Sequence, residues 1–315
     1  MIILWIFIAI LAVVLFTALI CYMMAFFAPR KPITAEFDLP EGAIYEPFYD
    51  LMITRIKEVR RLPYRDFSIR SFDGLPLHGK YYEYEPNAPI ELMFHGYRGT
   101  AERDLCGAVR RCFSLGHSAL IVDQRTTGQS GGRTITFGVK ESRDCDAWVD
   151  FMVQEFGKEV KIMLTGISMG AATVLMAAGR PQPPQVIGVL ADCGYSSAKD
   201  IIKKTIREMR LPPNVMYPFV KLGARLFGRF DLEETSPIEA MQRCTLPVIF
   251  FHGENDDYVP CAMSQLNYEA CHSPKKIVTI PGAGHGLSYL VDPPGYLAAM
   301  AEFFSENGLP TAVTK

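Results

Sequence analysis

From Ile90 onward the chain alternates short apolar runs with segments of helical length. The runs are Ile90–Phe94, Ala119–Val122, Val160–Leu164, Val186–Leu190, Val248–Phe251 and Ile277–Ile280. Helices are expected between them, near 101–114, 139–156, 169–179, 261–271 and 288–306. Runs this apolar leave neither face of a strand for water, and alternation with helices supplies the cover on both faces. That combination dictates an α/β fold with a mostly parallel central sheet. Ahead of it, residues 66–72 alternate in polarity, Asp73-Gly74 is a turn signal, and 75–84 run back as a hairpin.

One interval breaks the rhythm. Nearly sixty residues separate Leu190 from Val248. Two helical segments, about 197–210 and 214–228, fit there on either side of Pro212-Pro213. We read residues 195–243 as a small helical cap over the C-terminal edge of the sheet, where open α/β sheets bind ligands. Lys203, Lys204, Arg207, Arg210, Lys221, Arg225 and Arg229 give it a basic character, opposed within that stretch by Glu208.

The N-terminus obeys different rules. Ile2 to Pro29 carries no charged residue, and about 20 apolar residues suffice to cross a bilayer as a helix. A cleaved signal peptide is the competing reading, but it needs a basic region before the apolar core. We therefore expect residues 1–30 to form a transmembrane anchor, 31–63 a juxtamembrane amphipathic helix and linker, and 64–315 the α/β body with its cap. Helical spacing of Tyr45, Phe48, Tyr49, Met52, Ile56 and Val59 predicts one helix over 41–61, stopped by Pro63. Arg30 and Lys31 follow the span and no Lys or Arg precedes it, so the positive-inside rule leaves the body in the cytoplasm. Seven cysteines after the span, an odd number without compact spacing, read as reduced thiols. A formal charge of −2 gives no reason to expect nucleic acid.

Chemistry concentrates at the ends of the apolar runs. Gly166-Ile-Ser168-Met-Gly170 stands between the strand ending at Leu164 and the apolar stretch Ala171–Ala178. This is the strand-turn-helix setting of a nucleophile elbow, in which glycines two residues either side let backbones approach closely. A base must follow, and His285, in the loop Pro281-Gly-Ala-Gly-His285-Gly286, is the histidine best placed to reach Ser168. His78, His117 and His272 read as structural. The third member is expected at Asp256 in His252-Gly-Glu-Asn-Asp256-Asp257, with Asp257 and Asp192 as alternatives. Its task is to fix the imidazole tautomer and stabilise the imidazolium. His95-Gly-Tyr97-Arg98-Gly99 follows the first parallel strand. By position, the backbone N–H groups of Tyr97 and Met169 are the oxyanion donors. Turnover should rise with pH through one ionisation in the ordinary histidine range, about 6 to 7.5.

These four motifs fall in the order of the α/β-hydrolase superfamily, which residues 64–308 resemble. The chain is similar to bacterial membrane-anchored hydrolases related to prolyl-oligopeptidase catalytic domains and cinnamoyl esterases. Asp123-Gln-Arg125-Thr-Thr127-Gly128-Gln-Ser130 resembles the D-x-R-x-x-G-x-S stretch of these relatives, many of which carry His where this chain has Thr127. The resemblance implies cofactor-free cleavage of a carboxylic ester or thioester, the substrate being a small molecule or acyl compound and the membrane the other partner. A peptidase is the alternative, although sixty residues of cap cannot supply the large entry-restricting domain such enzymes carry. A catalytically idle tethered scaffold is less well supported. No H-E-x-x-H, clustered Cys/His set or phosphate-loop pattern points to a metal or nucleotide.

Overall fold

A computed structural model describes residues 1–29 and 35–311, so Arg30 and Lys31 lie outside the described residues. Eight strands form one sheet: β1 (Arg65–Arg70), β2 (Pro76–Tyr82), β3 (Ile90–Phe94), β4 (Ser118–Asp123), β5 (Ile162–Ile167), β6 (Val186–Asp192), β7 (Val248–Gly253) and β8 (Lys275–Ile280). Their spatial order is β1-β2-β4-β3-β5-β6-β7-β8. The β1–β2 hairpin joins antiparallel through β2 to β4, and the other pairings are parallel. This is the α/β-hydrolase arrangement.

The helices are α1 (Ile2–Ala25), α2 (Tyr49–Arg61), α3 (Ala101–Ser114), α4 (Val139–Phe156), α5 (Met169–Ala178), α6 (Ala198–Glu208), α7 (Pro213–Gly223), α8 (Pro237–Met241), α9 (Cys261–Ala270), α10 (Ser288–Val291) and α11 (Pro293–Glu306). The two-residue period of the strands sorts their side chains into two cores. Leu92, Phe94, Leu120, Val122, Leu164, Val189 and Phe250 pack with Trp148, Met152, Val174 and Leu175 of α4 and α5. Met93, Ala119 and Ile121 meet Val109 and Cys112 of α3 on the opposite face, where Met163, Leu190, Ile249 and Phe251 meet Tyr296, Met300, Phe303 and Phe304 of α11.

A charge sits inside this second face. Glu91 of β3 is fully buried and accepts from Arg111 at 2.5 Å, Thr165 Oγ1 at 2.8 Å and His117 Nδ1 at 3.2 Å. Burial pushes its carboxyl up, but the Arg111 guanidinium and His117 overcome that and hold it well below the usual range. Glu91→Ala strands a buried guanidinium, and we expect a loss of about 3–5 kcal/mol in denaturant unfolding of the detergent-solubilised protein.

Two helical expectations are corrected. The 41–61 segment is a 3₁₀ turn (Glu46–Phe48) followed by α2, with Tyr45 before both. Pro47 fits only a first turn, because its ring blocks continuation from upstream. The 288–306 segment divides at Asp292, whose non-helical backbone (φ −135°, ψ 73°) precedes Pro293 and whose side chain caps α11 by accepting from Gly295 N–H. The expected 214–228 segment is helical, as α7 continued by one π turn, Ala224–Gly228. Two of the seven basic residues are paired from just beyond the run, Lys221 with Glu233 and Arg225 with Asp231.

Helix α1 is long and apolar enough to cross a membrane. Ile2–Val13 are all exposed, whereas Ala18, Cys21, Tyr22 and Phe26 are buried against the body. The crossing with α7 is close: a Cβ on Gly223 would meet the Ala18 carbonyl oxygen at 2.4 Å, so only glycine fits. Cys21, Cys112, Cys145, Cys193, Cys244, Cys261 and Cys271 are free thiols.

Candidate active site

Strand β5 delivers Ser168 to the first turn of α5 with φ 57° and ψ −118°, a conformation L-residues avoid. The turn closes because of its glycines. A Cβ on Gly166 would lie 2.1 Å from Gly170 O, and one on Gly170 would lie 2.0 Å from Phe94 O. Ser168 N–H is tied to Asp192 O at 2.8 Å, which leaves the side chain at the head of the helix.

The structure brings Ser168, His285 and Asp256 together. With the proton on Nδ1, His285 donates to Asp256 Oδ2 at 2.7 Å and accepts from Ser168 Oγ at 2.9 Å. Asp256 Oδ1 accepts from the backbone N–H groups of Tyr258 and Val259 at 2.9 and 2.8 Å. Burial raises the Asp256 pKa, but hydrogen bonds from His252 and His285, the His285 charge and the Val259 N–H outweigh it and hold the carboxyl at about 2. The alternatives are placed elsewhere. Asp192 accepts from Ser288 Oγ and Tyr296 Oη at 2.9 and 3.1 Å. Asp257 is exposed, and its carbonyl accepts from Lys204.

Two further residues were not singled out by sequence. His252 Nε2 lies 3.2 Å from Asp256 Oδ2, giving the acid a second imidazole neighbour at i−4. Asp104 Oδ2 accepts from Gly96 N–H at 2.8 Å and fixes the start of the loop after β3. That loop abuts the serine: a Cβ on Gly96 would lie 3.4 Å from Ser168 Cβ. Among the described residues, the backbone N–H groups of Tyr97 and Met169 have no acceptor. His95 is turned away from this point, with Nδ1 against Gly96 O and Nε2 against Thr127 Oγ1, each at 2.9 Å.

Cys193, Asp256 and His285 have donor atoms within 4.8 Å of one another, the spacing of a metal site. Their chemistry fits one poorly. The Asp256 and His285 atoms already bond each other, and burial raises the Cys193 thiol far above the range in which a thiolate forms.

A cavity of about 540 Å³ opens at Ser168 and His285. Its lining includes apolar Met93, Leu105, Ala108, Ile167, Leu190 and Leu290, together with Lys204 and Glu208 of α6 and Tyr258. Most of its charges are paired: Arg103 with Asp104 and Lys204 with Glu208 inside the lining, Arg111 with Glu91 and Arg55 with Glu58 behind it.

Comparison with known proteins places this geometry in a lineage. Residues 134–308, more than half of the chain, match the prolyl oligopeptidase family. The chain belongs to that family. This membership places it among the α/β-hydrolases, and the matched segment contains Ser168, Asp256 and His285. The chain is 30% identical over 190 residues to the Bacillus subtilis protein YqkD, a match covering 60% of this chain and 62% of that relative. It is 28% identical over 209 residues to the thiohydrolase aneE of Aspergillus aculeatus, covering 63% of each. Among solved structures, the esterase Pf2001 of Pyrococcus furiosus superposes with a TM-score of 0.67 at 20% identity, covering 89% of this chain and 98% of that one.

Proposed function

We propose that this family member is a serine hydrolase of a neutral carboxylic ester or thioester, tethered to the membrane by α1 with its body on the cytoplasmic side. Residues 1–30 act as anchor, 31–63 as the juxtamembrane link and 64–315 as the hydrolase domain with its cap at about 195–243. The observation that carries the activity is the unbroken chain from Ser168 Oγ through His285 to Asp256 at the mouth of a charge-compensated apolar cavity. His285 takes the Ser168 proton as Oγ attacks the acyl carbonyl. The carbonyl oxygen, now anionic, rests on the Tyr97 and Met169 N–H groups. His285 then returns the proton to the leaving alcohol or thiol, and water cleaves the acyl-enzyme by the reverse sequence. The thiohydrolase among the relatives supports the thioester half of this reading.

The test is fluorophosphonate labelling at Ser168, followed by esters and thioesters set against aminoacyl amides. Faster amide turnover would make the protein a peptidase, and no labelling would make it an idle scaffold. If the acyl chain enters the apolar cavity, each added methylene gains about 0.8 kcal/mol of burial, so kcat/KM should climb about fourfold per carbon until the cavity fills. A p-nitrophenyl series from acetate to palmitate that is flat from the start would place the acyl group outside it.

The tether accounts for the exposure of Ile2–Val13 and for exposed Val215, Leu226 and Phe227 on elements that pack against α1. A reporter fused after Lys315 tests the orientation set by Arg30 and Lys31, and an extracytoplasmic signal would reverse it.

A further inference from the structure

The docked end of α1 makes contacts that an anchor does not require. A helix leaves its last four carbonyls without intrahelical partners, and its C-terminus carries partial negative charge. Here two of those carbonyls, Met24 O and Ala25 O, and the Phe27 carbonyl just beyond the helix are taken by the two residues that follow Gly96 in the loop beside Ser168. Tyr97 Oη donates to Ala25 O at 2.8 Å. Arg98 Nη2 donates to Met24 O at 2.9 Å and Phe27 O at 3.0 Å, and Arg98 Nε donates to Tyr97 Oη at 2.8 Å. The guanidinium thus ties the helix end and the loop into one hydrogen-bonded unit.

The helix end is itself immobilised. Phe26 is wholly buried, edge-on to Phe137 and Phe230 at 5.7 and 5.3 Å between ring centroids. The Tyr97 ring packs on the same Phe137 at 5.1 Å. Ile135 N–H donates to Phe26 O at 2.8 Å, and Ala28 N–H donates to Arg133 O at 2.9 Å. On the far side of the loop Asp104 holds Gly96. Between these clamps Arg98 adopts φ 52°, a left-handed conformation that a non-glycine residue keeps only when its surroundings over-determine it.

We infer that the last two turns of α1 are part of the active site: they hold Tyr97 and Arg98 so that the Tyr97 backbone N–H stays aimed at the developing oxyanion. Tyr97 through its side chain, Arg98 and the Met24, Ala25 and Phe27 carbonyls are positioning groups. This rests on the reading of Ser168 as nucleophile and the Tyr97 N–H as oxyanion donor. The apolar helix is then a permanent part of the enzyme, because removing it strips Arg98 and Tyr97 of these acceptors and empties the Phe26 site.

The experiment uses the full chain in detergent micelles, with folded sites counted by fluorophosphonate titration. Arg98→Ala should lower kcat per titrated site about ten- to hundredfold, the usual cost of a slightly misplaced catalytic group. KM should stay within about twofold, because the lost interaction belongs to the transition state. Tyr97→Phe, which keeps the ring and the backbone N–H, should lose less. Arg98→Lys, which returns a cation to the helix end, should recover most of the rate. The pH profile of all three should match the wild type, since no ionisation is touched. Wild-type kcat in Arg98→Ala overturns the inference, as does a shifted pH profile or a processed mature protein that lacks residues 1–27 and turns over at the full rate. Should Ser168→Ala retain activity, the underlying reading fails first. An inactive Ser168→Ala beside a fully active Arg98→Ala sinks the positioning role alone.

Discussion

Replacing Ser168 with alanine should abolish ester turnover, lowering kcat by about 10⁵- to 10⁶-fold, the scale seen when a triad nucleophile is removed. The expectation comes from what the side chain does. Its hydroxyl bonds His285, whereas the elbow is held by the Ser168 N–H to Asp192 and by the close passage of Gly166 and Gly170. Alanine keeps the same Cβ at φ 57°, so the turn is no more strained than before. The thermal midpoint should therefore stay close to that of the wild type while fluorophosphonate labelling disappears. An alanine variant that still hydrolysed esters at a tenth of the normal rate would move the nucleophile to another residue.

The framework was legible because its strands are buried on two sides. Such strands appear as continuous apolar runs, and all six runs from Ile90 onward lie within or across β3 to β8. Glu91 interrupts the first of them, and nothing local announces that Arg111 and His117 neutralise it, since both come from outside β3. The two helix boundaries that slipped did so at prolines: Pro47 bars a helix from running in from upstream, and Pro293 opens a new helix where hydrophobic spacing continues. The docking of α1 was invisible for a different reason. A helix apolar on every side carries no periodicity to mark the face it buries. Ala18, Cys21, Tyr22 and Phe26 are selected by Gly223, Phe137 and Phe230, residues more than a hundred positions away. The contacts of Tyr97 and Arg98 with that helix follow from the same docking, so sequence offered only a loop beside an elbow.

Asp256→Asn should lower kcat by about 10⁴-fold, the cost of a wrong histidine tautomer, while Asp257→Asn stays within about threefold of the wild type. The asymmetry follows from the donors around Asp256. The N–H groups of Tyr258 and Val259 both point at one of its oxygens, at 2.9 and 2.8 Å. An asparagine must keep its carbonyl oxygen there, because its amide nitrogen would face two donors with a third. The NH₂ group is then left toward His285 Nδ1, which has to become an acceptor. That moves the ring proton to Nε2, where it faces Ser168 Oγ and cannot accept from it. Asp257 has no such bond to lose: it is exposed, and its contact with Lys204 is through the backbone carbonyl, which the substitution keeps. The Asp256 carboxyl, held at about 2, should remain ionised wherever the enzyme turns over. A depressed carboxyl stabilises the fold above its ordinary value of about 3.9, and that contribution fades only as pH falls from there through about 2. The acid limb of the wild-type rate should accordingly carry one ionisation, with unfolding confined to lower pH. Rate profiles of the two variants and circular dichroism from pH 7 to 2 read both effects. An Asp257→Asn variant slower than Asp256→Asn would move the acid by one residue.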